Sequence, residues 1–268
     1  MFKVITMSDS NYFDTGKLFI ETRKNVDADF VLYGPDLTDS QIDILNANEI
    51  EYITVPNDIY QTQMQFLKFK FISDQIMDDA NAQYDGFTFT DFDTFFIRDW
   101  SHVFNYNFDL GITIRNSMVK QRCLRAYTNG GVIFAKYGAF NLLRFAESVI
   151  LSGRNKNMPE YDRIWDTLEL GRPKHKTHYR MELRWWCDQV FLSSLALRYF
   201  EQYGYTAIGK NPMLFNFNGF KIGLFGCDSY NVVDSSPKIT GKKDVYIKHL
   251  KSKGRKKVTG VDKTKEKL

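Results

Sequence analysis

Apolar and polar positions alternate in blocks along the first hundred residues. Phe2-Lys3-Val4-Ile5-Thr6-Met7 reads as a first strand, and the polar Ser8-Asp9-Ser10 arrives too soon for a signal peptide. A helical stretch near 12–24 follows, and a strand-like run at 29–33 stops at Gly34-Pro35. Thr38-Asp39-Ser40-Gln41 has the form of a capping box, opening a helix with Ile42 and Leu45 on one face. Residues 50–55 form a third strand ended by Pro56. In 60–79, Met64, Leu67, Phe71 and Ile72 recur at helical spacing. Residues 86–90 make a fourth strand. This order predicts an α/β fold with a mostly parallel central sheet and helices on both faces.

Beyond residue 100 the pattern loosens. Strands are expected at 110–114 and 132–135, a helix at 140–151, a polar and basic excursion at 153–182, a helix at 185–200, and short strands at 213–217 and 220–225. No internal repeat or low-complexity linker interrupts the chain. The expectation is one domain over 1–241 with a basic tail at 242–268.

The composition excludes several classes. A chain of 268 residues, 43% hydrophobic and 25% charged, is neither disordered, collagenous nor a coiled coil. No apolar run reaches the ~18 residues of a membrane helix. Three cysteines without a C-x-x-C pair argue against a disulfide framework and a zinc knuckle. With no N-x-Ser/Thr sequon either, a cytoplasmic location is expected. The net charge of +4 is unevenly spread: 12 Lys/Arg and three Asp/Glu lie in 238–268, so the rest is acidic. A basic tail suggests a polyanionic partner: a phosphate-bearing ligand, nucleic acid or an anionic membrane surface. The plain alternative is a solvated tail.

Ligands of α/β sheets sit beyond the carboxyl ends of the strands, so the residues there carry the functional reading. Ser8-Asp9-Ser10-Asn11-Tyr12 has no glycine, which excludes a dinucleotide fingerprint, a Walker A loop and a nucleophile elbow. It offers a carboxylate, an amide and a phenol, suited to bonding a base edge or ribose and stacking on a base. The alternative is a turn with Asp9 or Ser10 as an N-cap. Thr90-Asp91-Phe92-Asp93-Thr94-Phe95-Phe96 places two carboxylates at the exit of a very apolar strand. Such oxygen ligands suit Mg²⁺ or Mn²⁺, which complete their coordination with substrate phosphates. The alternative is a solvated acidic turn.

In this order the segments resemble a nucleotide-sugar glycosyltransferase of the GT-A fold, most similar to the retaining family-eight-like group of glycogenin and galactosyltransferase type. Asp9-Ser10-Asn11-Tyr12 and Asp91-Phe92-Asp93 are joined by Asn129-Gly130-Gly131-Val132, Trp186-Cys187-Asp188-Gln189 and a tail containing His249 and Gly254. The likeness spans nearly the whole chain. It departs at Val190, where the family often has a second acid, and in the spacing of Gly254 from His249.

The resemblance implies a UDP-sugar donor with Mn²⁺ or Mg²⁺. Asp9, Asn11 and Tyr12 would hold uracil and ribose. Asp91 would bridge ribose and metal, with Asp93 and His249 as metal ligands. Asp188 and Gln189 would lie near the anomeric carbon. The phosphate-binding cation is open among Lys251, Lys253, Arg255 and Lys256, with Lys253 and Lys256 favoured. The tail, too polar to pack firmly as core, is expected to be a lid that orders on the donor. Trp185 and Trp186 are a candidate stacking platform. The implied acceptor is a glycan or lipid-linked glycan. Competing readings are transfer to a modified base of viral DNA, for which no recognition motif is present, and an inactive nucleotide-sugar-binding module. Peripheral contact with an anionic membrane is compatible with any of them.

Overall fold

Strand β1 (Phe2–Met7) pairs in parallel with β2 (Ala28–Gly34) on one side and β4 (Gly86–Thr90) on the other. The structure, a computed structural model, describes residues 1–120, 128–154, 179–234 and 244–250. Within them lie β3 (Ile50–Thr54), β5 (Thr94–Phe96), β6 (Leu110–Ile114), β7 (Thr128–Ala135), β8 (Met213–Phe217) and β9 (Phe220–Gly226). Eight strands form one sheet in the order β3-β2-β1-β4-β7-β6-β9-β8, parallel in four of its seven neighbouring pairs.

Alternation along the strands sorts their side chains between two cores. Ile5, Val31, Phe87 and Phe89 pack against α3 (Asn57–Met77), α5 (Phe140–Arg154) and α6 (Tyr179–Tyr203), through Leu67, Phe71, Leu143, Phe191 and Leu195. Phe2, Val4, Phe30 and Leu32 face the other way, onto Phe19 of α1 (Lys17–Thr22), Leu45 of α2 (Asp39–Ala47), Trp100 and Phe104. Each such side chain contributes about 1.5–3 kcal/mol on burial. Helices on both faces are thus present as expected. Two short helices, α4 (Asn116–Lys120) and α7 (Cys227–Tyr230), complete the set used below.

The expected capping box is present: the Thr38 hydroxyl accepts from Gln41 N–H, and the Gln41 side chain accepts from Thr38 N–H. The stretch near 12–24 is not one helix but a 3-10 turn at Phe13–Gly16, α1, and a second 3-10 turn at Arg23–Asn25. Its last helical residue is tied elsewhere. Thr22 Oγ1 donates to Leu18 O at 2.6 Å and accepts from Phe96 N–H at 2.9 Å, which joins α1 to β5.

A second, three-stranded sheet stands at the carboxyl end of β4. Its order is β10 (Val232–Asp234), β11 (Ile247–Leu250), β5. At 244–250 the structure differs from the expectation of a segment too polar to pack firmly as core. Val245, Ile247, Lys248, His249 and Leu250 are buried. Ile247 joins the core containing Phe96 and Trp100, and Leu250 packs with Leu18 and Phe95. Few apolar residues among lysines suffice, because Ile247 and Leu250 each find an aromatic wall. Tyr246 stacks on Tyr230 at 5.0 Å between ring centroids. Burial pushes the Tyr230 phenol above its ordinary pKa and lowers that of His102, and the two share a hydrogen bond of 2.9 Å between the phenol oxygen and His102 Nε2. Residues 251–268 lie outside the described ones.

Ile247→Ala should therefore lower the unfolding free energy by about 2–4 kcal/mol, the ordinary cost of emptying a fully buried isoleucine site. Urea denaturation measures it. An unchanged midpoint would return this segment to a loosely held tail.

Candidate active site

Strand β4 ends at Thr90, and the chain turns at once. Asp91 N–H donates to Gly131 O at 2.9 Å, while Thr94 returns its N–H and hydroxyl to Asp91 O at 3.0 and 2.8 Å. The turn leaves Asp91 partly exposed and buries Asp93 to 1%. Strand β11 lies antiparallel to β5 with His249 opposite Thr94, and Leu250 N–H donates to Asp93 O at 3.0 Å. His249 Nε2 thereby comes to 3.0 Å from Asp93 Oδ1 and 3.7 Å from Asp91 Oδ2.

These three residues each offer one ligand atom, all within 4.8 Å of one another. Neighbouring ligands of an octahedral Mg²⁺ or Mn²⁺, at about 2.1 Å from the ion, are roughly 3–4 Å apart. Although it lies 3.0 Å from Asp93 Oδ1, His249 Nε2 is buried without an aligned hydrogen bond among the described residues. A buried carboxylate and a buried imidazole nitrogen in that arrangement fit a divalent cation.

Beside this trio sits a lysine that the sequence reading did not single out. Lys68, on α3, is 6% exposed; its Nζ donates to Asp188 Oδ2 at 2.6 Å and to Gly130 O at 3.0 Å. It also lies 4.0 Å from Asp91 Oδ1. Its signal was present: Lys68 lies four residues after Met64 and three before Phe71, a charge on the apolar stripe of its helix. Asp188 lies well inside α6.

Gly130 and Gly131 make the two halves fit. A Cβ on Gly131 would stand 2.8 Å from Asp91 Oδ2 and from the His249 ring, and one on Gly130 would stand 2.4 Å from Asp188 Oδ2. Either methyl group would displace the acids.

Among the nucleoside candidates, Tyr12 reaches the trio, donating its hydroxyl to Asp93 Oδ2 at 3.3 Å. Asp9 Oδ1 accepts from Tyr12 N–H at 2.7 Å, so Asp9 also caps its turn. Asn11 is exposed on the same loop. Asp36, after β2, accepts from Ser10 N–H and Oγ, a support the sequence reading passed over. Tyr60 is buried nearby; burial first, then Asp9, Asp36 and Asp91, raise its phenol pKa and keep it neutral. Gln189 lies next to Asp188, and its Oε1, like Asn129 Nδ2, is buried without a hydrogen bond among the described residues. Lys251, Lys253, Arg255 and Lys256, like most of the excursion at 153–182, lie outside the described residues, as do the side chains of Trp185 and Trp186.

Two substitutions test this geometry. Lys68→Met strands the buried Asp188 and should cost about 3–5 kcal/mol in thermal or urea unfolding. Most of that loss should return when Asp188→Leu is added. Gly131→Ala should leave the chain folded by circular dichroism but lower Mn²⁺ affinity at least tenfold by calorimetry, the order seen when metal ligands lose their orientation.

No family model matches the sequence, and no curated protein matches it. Solved structures do. Galactosyltransferase LgtC, crystallised with donor and acceptor sugar analogues, superposes with a TM-score of 0.52 at 13% identity, covering 98% of this chain and 95% of that one. A structure of an active-site mutant of LgtC gives 0.47 at 12% identity, over 92% and 86%. The likeness is one of fold, and it extends over nearly the whole chain: the chain has the GT-A fold.

Proposed function

We propose that this chain is a metal-dependent glycosyltransferase that moves a sugar from a UDP-sugar to a glycan or lipid-linked glycan acceptor. The observation that carries the reading is the convergence of Asp91, Asp93 and His249 at the carboxyl end of β4, on a GT-A fold. The LgtC structure with donor and acceptor sugar analogues supports the same substrate classes.

Asp91, Asp93 and His249 would hold the cation, Mn²⁺ or Mg²⁺. Bound there, it supplies Lewis-acid stabilisation of the charge that develops on a diphosphate leaving group. Asp9, Asn11 and Tyr12 present their polar groups to the nucleoside, with Tyr12 also fixing one oxygen of Asp93. Asn129 Nδ2 and Gln189 Oε1 are a donor and an acceptor that sugar hydroxyls satisfy, and leaving such buried groups unpaired costs about 1–3 kcal/mol each. Asp188 faces the reacting carbon with its charge balanced by Lys68. In that position it stabilises an oxocarbenium-like transition state or orients the acceptor hydroxyl, with retention of configuration. Lys253 and Lys256 follow His249 closely in the sequence and would meet the diphosphate, and the basic segment would act as a lid.

The reading places the enzyme in the cytoplasm. No helix among the described residues is long and apolar enough to cross a membrane.

The test is a calorimetric titration with UDP-, GDP-, ADP- and CMP-sugars, with Mn²⁺ and with chelator. UDP-sugar should bind at least tenfold more tightly with Mn²⁺, and Asp93→Asn should remove that gain while leaving the unfolding temperature within a few degrees. UDP affinity that is equal in chelator would overturn the proposal.

A further inference from the structure

His249 carries two ring nitrogens, and only a nitrogen without a proton can face a cation. Which one is free is decided by what the other touches. His249 Nδ1 lies 3.2 Å from the side-chain oxygen of Asn231, a residue between α7 and β10 with 0% exposure. The amide of Asn231 has one orientation open to it. Its Nδ2 donates to Asn129 O at 3.1 Å and to Thr113 Oγ1 at 3.2 Å. Turned over, it would set its oxygen against the Asn129 carbonyl oxygen, and two acceptors cannot bond. Thr113 holds the arrangement from below: its hydroxyl donates to Asn129 O at 2.9 Å and lies 3.2 Å from Val132 O, which leaves a lone pair for Asn231 Nδ2.

The geometry points to Asn231 as a positioning residue that commits His249 to the Nδ1–H tautomer and so leaves the Nε2 lone pair toward Asp91 and Asp93. Asn231 does not touch the substrate in this assignment. It acts through the imidazole, by the same logic that lets an outer hydrogen bond orient a metal-binding histidine elsewhere. The chain of constraint is short and wholly buried: a backbone carbonyl of β7 orients an amide, the amide orients a ring, and the ring presents one nitrogen. The consequence for binding rests on the metal reading above, whereas the tautomer itself does not.

The experiment separates the two. The metal-free protein is labelled with ¹⁵N-histidine, and its spectra are followed upward in pH until they no longer change, so that the tautomer is read from the neutral ring. With four histidines in the chain, His249 is assigned by the signal lost in His249→Gln. Two-bond correlation spectra distinguish a protonated from an unprotonated ring nitrogen. The expected result is Nδ1 protonated and Nε2 not, against the preference of a free imidazole for the Nε2–H form. Asn231→Leu, of the same branching, should release the ring to a mixture or to Nε2–H and weaken Mn²⁺ binding about 10–100-fold. A wild-type ring protonated on Nε2 would overturn the assignment, as would a tautomer unchanged in Asn231→Leu. If the leucine variant does not fold, the wild-type spectrum still decides. A wild type that shows Nδ1–H yet binds no Mn²⁺ would uphold the tautomer and overturn the metal reading.

Discussion

The antiparallel pairing of β5 with β11 is the constraint on which the rest of the site hangs. It sets His249 opposite Thr94, one residue from Asp93, although the two segments are far apart in the chain. Closing so long a loop costs entropy that three residue pairs of ladder do not repay alone. The strand is held by its flanks. Ile247 lies in the aromatic core, Tyr246 is stacked on Tyr230, and Leu250 N–H is bonded to Asp93 O. Aromatic pairs of this kind contribute about 0.5–1.5 kcal/mol beyond their burial. The same contacts that fold the segment deliver the imidazole.

A cluster of acids at one end of a sheet repels itself unless each member is answered. Asp188 is answered by Lys68, Asp93 by the Tyr12 hydroxyl, and Asp36 by Ser10. Asp91 is left partly exposed, 4.0 Å from the lysine. The result is a pocket whose polar groups are fixed in advance. Electrostatic stabilisation by prearranged groups is strong because nothing has to reorganise when charge develops. Lys68 links the two parts of the site, since it touches Asp188 and approaches Asp91.

Much of this architecture was legible from local pattern, because local physics dictates it. β1 to β4 each show a clean apolar run closed by a turn residue, and the capping box at Thr38 is written in four consecutive residues. The acidic pair announced itself by standing at the exit of an apolar strand. Strands β5, β10 and β11 were not legible: at three or four residues they have no period to read, and each exists only through a partner distant in sequence. His249 was reached through its place in a family-like order of segments and not from its neighbours, which are lysines and apolar residues. Lys68 had a readable signal that went unused. Asn231 had none, since an asparagine between Tyr230 and Val232 looks like any turn residue, and its significance is entirely one of where its amide points.

The glycine pair in β7 has a different sort of consequence. At Gly130 and Gly131 the surface that meets the acids and the imidazole is main chain. Its carbonyls already serve Lys68 and Asp91 N–H, through Gly130 O and Gly131 O. Peptide groups are the same whatever the sequence, so the floor of this pocket cannot be retuned by exchanging side chains. Variation by exchange of side chains is therefore confined to the surroundings of this main-chain surface, the loop after β1 among them, while the surface itself stays the same.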